Sequence, residues 1–261
     1  MLQRFILPAA ILLAFVCELR AQEWGTLTGQ FIYDGTPPAP PVPKKFDIPG
    51  EKGEAIEFID ESLLVDAKGG LANVVIYVQP ESGKELAVHP DYEETANAKV
   101  VLEIKNCRFQ PHVFPMRTTQ TLAIKSLDPF GHNPRIDGLA NRPFGEIIPV
   151  KDSFEQLMPS PERVPAHVGC NIHPFENGYL VVRPDPYVAV SAPDGMFTIA
   201  NIPTGAHELV IWHEESSYVK EATIGGVKTA LRKKPKFYPY TVKAGPNDLG
   251  QIKVDPALLT R

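Results

Sequence analysis

Cysteine is scarce in this chain: three in 261 residues, and one of them, Cys17, sits in an apolar run near the N-terminus. Beyond that run no segment is long and apolar enough to cross a bilayer as a helix. Blocks of like charge are missing too. The net charge of −5 is spread along the chain, which leaves no basic face for nucleic acid or an anionic membrane surface. Nor is there a nucleophile elbow, a paired catalytic acid and base, an HExxH, a P-loop or a dinucleotide glycine motif. The sequence therefore gives no ground for expecting an enzyme.

The first residues set the compartment. "MLQRFILPAAILLAFVCELRAQ" has a basic start at Arg4, an apolar run from Phe5 to Cys17 and a small residue, Ala21, at a cleavage position. This pattern reads as a secretory signal peptide over 1–21, too short and too poorly flanked for a membrane span. Acylation at Cys17 is the weaker reading, because Val16 is larger than such a site normally has before it. The mature chain of about 240 residues is expected in the periplasm or outside the cell. It keeps two cysteines, Cys107 and Cys170. In an oxidising compartment a lone pair of cysteines is commonly a disulfide.

Proline (27) and glycine (19) are plentiful. The apolar runs are short and rich in Val, Ile, Tyr and Phe, which predicts an all-β protein with many turns. "WGTLTGQFIYDG" (24–35) alternates as a strand and ends on Asp-Gly. "TPPAPPVPKK" is too proline-rich for a helix or a central strand. "GLANVVIYVQ" (70–79) is apolar almost throughout, the pattern of a strand buried on both faces. The polar stretch after it predicts a loop with one short helical turn. Short strands follow at 99–104, 108–116, 120–126 and 178–183, with a long irregular connection before the last. "YVAVSAPDGMFTIANIPTGAHELVIWHEE" reads as a three-strand meander with Pro-Asp-Gly and Pro-Thr-Gly turns. "KFYPYTVKAG" and "DLGQIKV" are two further strands, and "VKTALRKKPK" before them reads as a solvated basic loop.

Four of these pieces carry a resemblance. "GTLTGQFIYDG", "LANVVIYV", "SAPDGMF" and "IPTGAHELVIWHE" resemble the carboxypeptidase-regulatory-like domain, a small β-sandwich of the carbohydrate-binding-like (starch-binding-like) fold. Ile202 stands where that family usually has Leu. Roughly a hundred residues separate the second piece from the third, which implies an insertion. The expected layout is one sandwich split into 22–96 and 185–261, with a second domain, 97–184, between its strands.

The inserted stretch has its own pattern. Phe109-x-Pro111, "QTLAIKSLD", Gly131-His132-Asn133 and Cys170-x-x-His173 occur in order over 99–183. Together they resemble the cupredoxins, the plastocyanin, azurin and amicyanin family of small copper β-sandwiches, although Thr119 and Ser126 replace the usual Gly and Asn. The fold class expected is thus all-β, with a cupredoxin-like Greek-key domain inserted into a discontinuous carbohydrate-binding-like sandwich. The resemblance implies copper held by His132, Cys170 and His173. A trigonal His₂Cys set with a weak axial ligand is the geometry of blue-copper electron transfer. Glu176 stands where the family's axial Met is expected; the Gly131 carbonyl and Met158 are other candidates for that position.

Each of these residues has a plainer reading as well. His132 can simply satisfy a turn, His173 can be an exposed loop residue and Glu176 a solvated turn charge. His112 and His167 read as structural, and His89, His207 and His213 have no assigned partner. Trp212-His213-Glu214 reads as the rim of the outer sandwich. In the resembled fold Cys107 lies at the copper end, so three thiol states stay open. Cys107 and Cys170 can form a disulfide, worth roughly 3–4 kcal/mol for a loop of about sixty residues. Cys170 alone can bind copper, or both thiolates can bind metal. The leading expectation is a secreted copper-binding protein that works in electron transfer or copper handling, with a redox partner protein. The alternative is a metal-free, disulfide-stabilised module that binds carbohydrate or a cell-surface partner. No nucleic-acid partner is expected.

Overall fold

The structure, a computed structural model, describes residues 22–47, 55–80, 84–231 and 237–260. The signal-peptide reading of 1–21 and the 232–236 part of the basic loop lie outside the described residues.

The chain is almost entirely β, and side-chain alternation decides what each sheet covers. The first sheet orders strands Met196–Pro203, Trp24–Tyr33, Gly245–Val254, Glu221–Ile224 and Val227–Ala230. The second orders Val188–Val190, Val75–Gln79, Gly205–His213 and Ser217–Tyr218, with Phe237–Val242 also paired to Gly205–His213. Both sheets mix strands from before residue 80 with strands from after 187. Trp24–Tyr33 runs antiparallel to Met196–Pro203 on one side and parallel to Gly245–Val254 on the other. Leu27 and Phe31 of the first sheet share a buried cluster with Ile76, Val78, Leu209 and Ile211 of the second.

The other two large sheets contain only strands from 99–183. The third orders Phe144–Gly145, Pro134–Asp137, Ala166–Cys170, Asn177–Arg183 and Val113–Arg117. The fourth orders Ser153–Leu157, Thr121–Ser126, Lys99–Ile104 and Phe109–Gln110. Leu102, Ile104, Leu122 and Ile124 of the fourth pack with Phe114, Ile136, Val168 and Leu180 of the third.

A third cluster explains the continuous apolar runs. Successive strand residues point to opposite faces. Ile76 and Val78 therefore enter the first core, while Val75 and Tyr77 point the other way. There they meet Val210 and Trp212 from the same sheet and Val113, Tyr179 and Val181 from the third sheet. The second and third sheets are thus apolar on both faces, and "VVIYV", "LVIW" and "YLVV" are strands between two layers. Trp212 packs edge-on against Tyr179 with ring centroids 4.9 Å apart. Arg183 sits over the Tyr77 ring at 4.2 Å and donates from Nη2 to the Val78 carbonyl at 3.3 Å.

Three stretches differ from the sequence reading. The supposed irregular connection holds Pro134–Asp137, Phe144–Gly145, Ser153–Leu157 and Ala166–Cys170. Ser153–Leu157 is an edge strand, exposed or half-buried throughout, so its sequence lacks the apolar alternation by which a strand is read. Val227–Ala230, read as loop, pairs with Glu221–Ile224. Gly225 and Gly226 take φ of 58° and 79° between them, values open to glycine at little steric cost. Trp212-His213-Glu214 lies against the third sheet rather than at a rim, since Trp212 meets Tyr179 and Glu214 pairs with His112. The expected helical turn is present as a 3-10 turn, Pro90–Tyr92.

Candidate metal centre

His132, Cys170, His173 and Glu176 come from two segments that the third sheet holds side by side. His132 precedes strand Pro134–Asp137, and its backbone exchanges both hydrogen bonds with Ile148, at 3.1 and 2.8 Å. Cys170 ends strand Ala166–Cys170 opposite Pro134. Pairing continues one residue further, where the Asn171 N–H donates to the Asn133 carbonyl at 2.9 Å. The chain then closes two short turns. The His173 N–H donates to Cys170 Sγ at 3.4 Å, and the Glu176 N–H donates to the His173 carbonyl at 3.0 Å. A second backbone donor to the sulfur, the Asn133 N–H, lies 3.5 Å from Cys170 Sγ.

One ligand atom from each of the four side chains lies within 4.8 Å of all the others. His132 Nδ1 and His173 Nδ1 are 3.3 Å apart, and each is 3.0 Å from Glu176 Oε1. Cys170 Sγ is 3.7 Å from His173 Nδ1. Bond lengths of about 2.0–2.3 Å at tetrahedral angles give donor separations of about 3.3–3.7 Å. The 3.3 and 3.7 Å separations fall in that range and the two of 3.0 Å lie just below it. All four residues are buried; His132 and Glu176 are fully so. The plainer readings of His173 as an exposed loop residue and Glu176 as a solvated turn charge are therefore not what the fold makes of them. Glu176 Oε1 is buried and faces the Nδ1 atoms of both imidazoles. A buried carboxylate needs such partners for its charge.

The two thiols differ in kind. Burial raises the Cys170 thiol, but hydrogen bonds to His132 and His173 outweigh it and bring the group down to about 7. Burial first, and then neighbouring Glu176, pushes Cys107 far above the usual thiol range. Cys170 is suited to act as a thiolate and Cys107 stays a protonated thiol. Burial would raise the Glu176 carboxyl, yet its bonds to His132 and His173 hold it below the usual range. Burial would lower both imidazoles, but the Asp128, Cys170 and Glu176 bonds raise His132 to about 11, and the Cys170 and Glu176 bonds raise His173 to about 9.

Both cysteines are free in the structure, which joins Cys107 and Cys170 by no disulfide. Cys107 lies outside the four-residue group and packs instead with Ile56 and Phe130. Its backbone takes φ of 51°, and its thiol lies beside Glu176. Met158 is a buried member of the apolar cluster that contains Cys170.

The remaining histidines have partners of their own. His112 pairs with Glu214, His167 with Asp137 and Asn177, and His207 with the Pro203 carbonyl. His89 accepts from the Asp91 N–H, and His213 from the Glu215 N–H. Asp128 is the residue that the sequence reading missed. Its carboxylate lies 3.1 Å from His132 Nε2, and its place four residues before that histidine is the one sequence signal that points to it.

No protein-family model matches the chain, and no curated protein matches it either. Among solved structures it is similar over 40% of its length to a copper-containing nitrite reductase from Thermus scotoductus (19% identity, TM-score 0.30), of which it spans only 25%. It is similar over 41% of its length to 99% of a reduced amicyanin mutant (14% identity, TM-score 0.29). A purple cupredoxin from Nitrosopumilus maritimus is matched over 99% of its own chain and 33% of this one (17% identity, TM-score 0.28).

Proposed function

We propose that residues 97–184 form a cupredoxin-like domain inserted in a carbohydrate-binding-like sandwich, and that the four-residue cluster binds copper. Cys170 Sγ, the Nδ1 atoms of His132 and His173 and the Glu176 carboxylate are the ligands. The protein then works outside the cytoplasm in electron transfer or copper handling with a redox partner protein, rather than as an enzyme.

The observation that carries this reading is the convergence of four buried donors, one atom from each lying within 4.8 Å of all the others. A soft thiolate with two imidazoles suits copper better than the hard cations, which take oxygen ligands. Bound copper supplies a one-electron couple. The chain supplies a cradle fixed by sheet pairing on both sides and two backbone N–H groups aimed at the sulfur. A carboxylate in place of a thioether is a harder ligand, favouring Cu(II) and a lower potential.

The test is copper stoichiometry and the visible spectrum. One copper per chain with an intense thiolate-to-copper band, lost in Cys170→Ala, supports the reading. A colourless protein that retains no stoichiometric copper, or that takes up Zn(II) and leaves copper in solution, overturns it.

A further inference from the structure

We propose that Asp128 is a positioning residue of the centre, fixing the His132 ring so that Nδ1 and not Nε2 faces the other three donors. The inference rests on the copper reading above.

Asp128 is almost fully buried, at 3% exposure. A carboxylate in such a place needs partners for its charge, and every one observed serves the centre or the turn behind it. Oδ2 lies 3.1 Å from His132 Nε2. The Asn106 N–H donates to Oδ1 at 2.7 Å and the Cys107 N–H donates to Oδ2 at 2.9 Å. Asn106 and Cys107 have φ of 54° and 51°. Two successive residues in this left-handed region direct their N–H groups toward one anion, which offsets the strain of a non-glycine residue there. The turn between strands Lys99–Ile104 and Phe109–Gln110 is thereby tied to the histidine.

The second ring nitrogen gives Asp128 its role. To bind a metal the ring gives up one proton, which leaves one N–H and one lone pair. With its N–H donated from Nε2 to Asp128, the lone pair is at Nδ1, the atom 3.3 Å from His173 Nδ1 and 3.0 Å from Glu176 Oε1. Without Asp128 the opposite tautomer has a ready acceptor, because Glu176 Oε1 can take an N–H from Nδ1. That state spends the His132 lone pair on the wrong side and ties up Glu176 as well. Asp128 therefore selects the tautomer in which both residues are ligands, and it orients the ring as a carboxylate behind a metal-bound histidine does.

The test is Asp128→Asn, which keeps an oxygen for the 106–107 turn and removes the charge. Metal-free wild type and variant are compared first by thermal melting, and the His132 ring is read by nitrogen-detected NMR of the Cu(I)-loaded wild type. Cu(II) affinity is then measured by competition with a chelator, together with the visible spectrum. The expected results are a proton on Nε2 in the Cu(I)-loaded wild type, an unchanged strand content in the variant, affinity weaker by about 10–100-fold and a shifted band. Should the variant not fold, the Cu(I)-loaded wild-type ring decides alone, since a proton on Nδ1 with Nε2 bare overturns the proposal. Wild-type binding with the variant within about twofold overturns the inference and leaves the copper reading standing. Failure of the wild type to bind copper overturns both.

Discussion

Copper should stabilise the folded chain because the four donors meet only when the sheets have formed. His132 is 41 residues from His173 and 44 from Glu176 along the chain, and sheet pairing brings them within 3.3 Å. A ligand that binds only the native state adds RT ln(1 + [L]/Kd), about 4.1 kcal/mol at a thousandfold excess over Kd. For a chain of this size each kcal/mol moves Tm by about 2–4 °C, so the expected rise is about 8–16 °C. Melting followed by circular dichroism under anaerobic conditions, with and without Cu(II), reads it directly. Mg(II) at the same concentration should do nothing, because one carboxylate beside a thiolate and two imidazoles is a poor set for a hard cation. The decisive control is His132→Gln. Cys170, His173 and Glu176 lie on one short loop and can hold copper weakly even in the unfolded chain, whereas His132 joins them only through the fold. The rise should therefore collapse in His132→Gln. A wild-type rise below about 2 °C, or an equal rise in the variant, would refute the argument from convergence.

Three further predictions concern the framework around the site. His112 and Glu214 form a buried pair between the 99–183 sheets and the others, at 8% and 5% exposure. Glu214→Gln should cost about 3–5 kcal/mol, the usual penalty for breaking one side of a buried pair. Burial alone would lower His112, but its bond to Glu214 wins and raises it. The pair's contribution is therefore full below the ordinary histidine value and is lost as pH rises through the raised one. Denaturant midpoints from pH 5 to 9 should slope this way in wild type and not in Glu214→Gln. Glu162 accepts from the backbone N–H groups of Leu139, Ala140 and Asn141. Glu162→Ala strands these donors and should cost about 3 kcal/mol or more; a midpoint unchanged in urea would contradict the assignment. Gly195, in the Pro-Asp-Gly turn, has φ of +80°, and a Cβ there would sit 2.1 Å from the Phe31 carbonyl oxygen. Gly195→Ala should destabilise by more than about 2 kcal/mol, and a wild-type Tm would show that the turn relaxes freely.

What the sequence made legible follows from which signals are local. Strands Trp24–Tyr33, Val75–Gln79 and Gly205–His213 declare themselves because burial on one or both faces imposes apolar residues at fixed spacing. Ser153–Leu157 does not, since an edge strand needs backbone pairing with Thr121–Ser126 but little apolar surface. The site divides in the same way. Cys170, His173 and Glu176 can be read together because a loop of three-residue steps is a local pattern, and His132 because a glycine-histidine-asparagine motif marks it. The contact of Asp128 with the 106–107 turn is legible only in three dimensions. It depends on a turn at 106–107 folding back against the residues that precede His132, and nothing in the spacing between 107 and 128 announces that approach.

Glu176 shows where local reading misleads. Before Asn177-Gly178 a glutamate is ordinarily a solvated turn charge, and composition offers no reason to think otherwise. Strand Asn177–Arg183 begins at the next residue, wedged between Ala166–Cys170 and Val113–Arg117. The chain therefore enters the sheet interior at once, and the carboxylate is carried in with it. Once buried, it needs positive partners, and the fold sets the two imidazoles 3.0 Å from its Oε1. The residue that departs most from the resembled family is thus the one whose surroundings local reading foresees least.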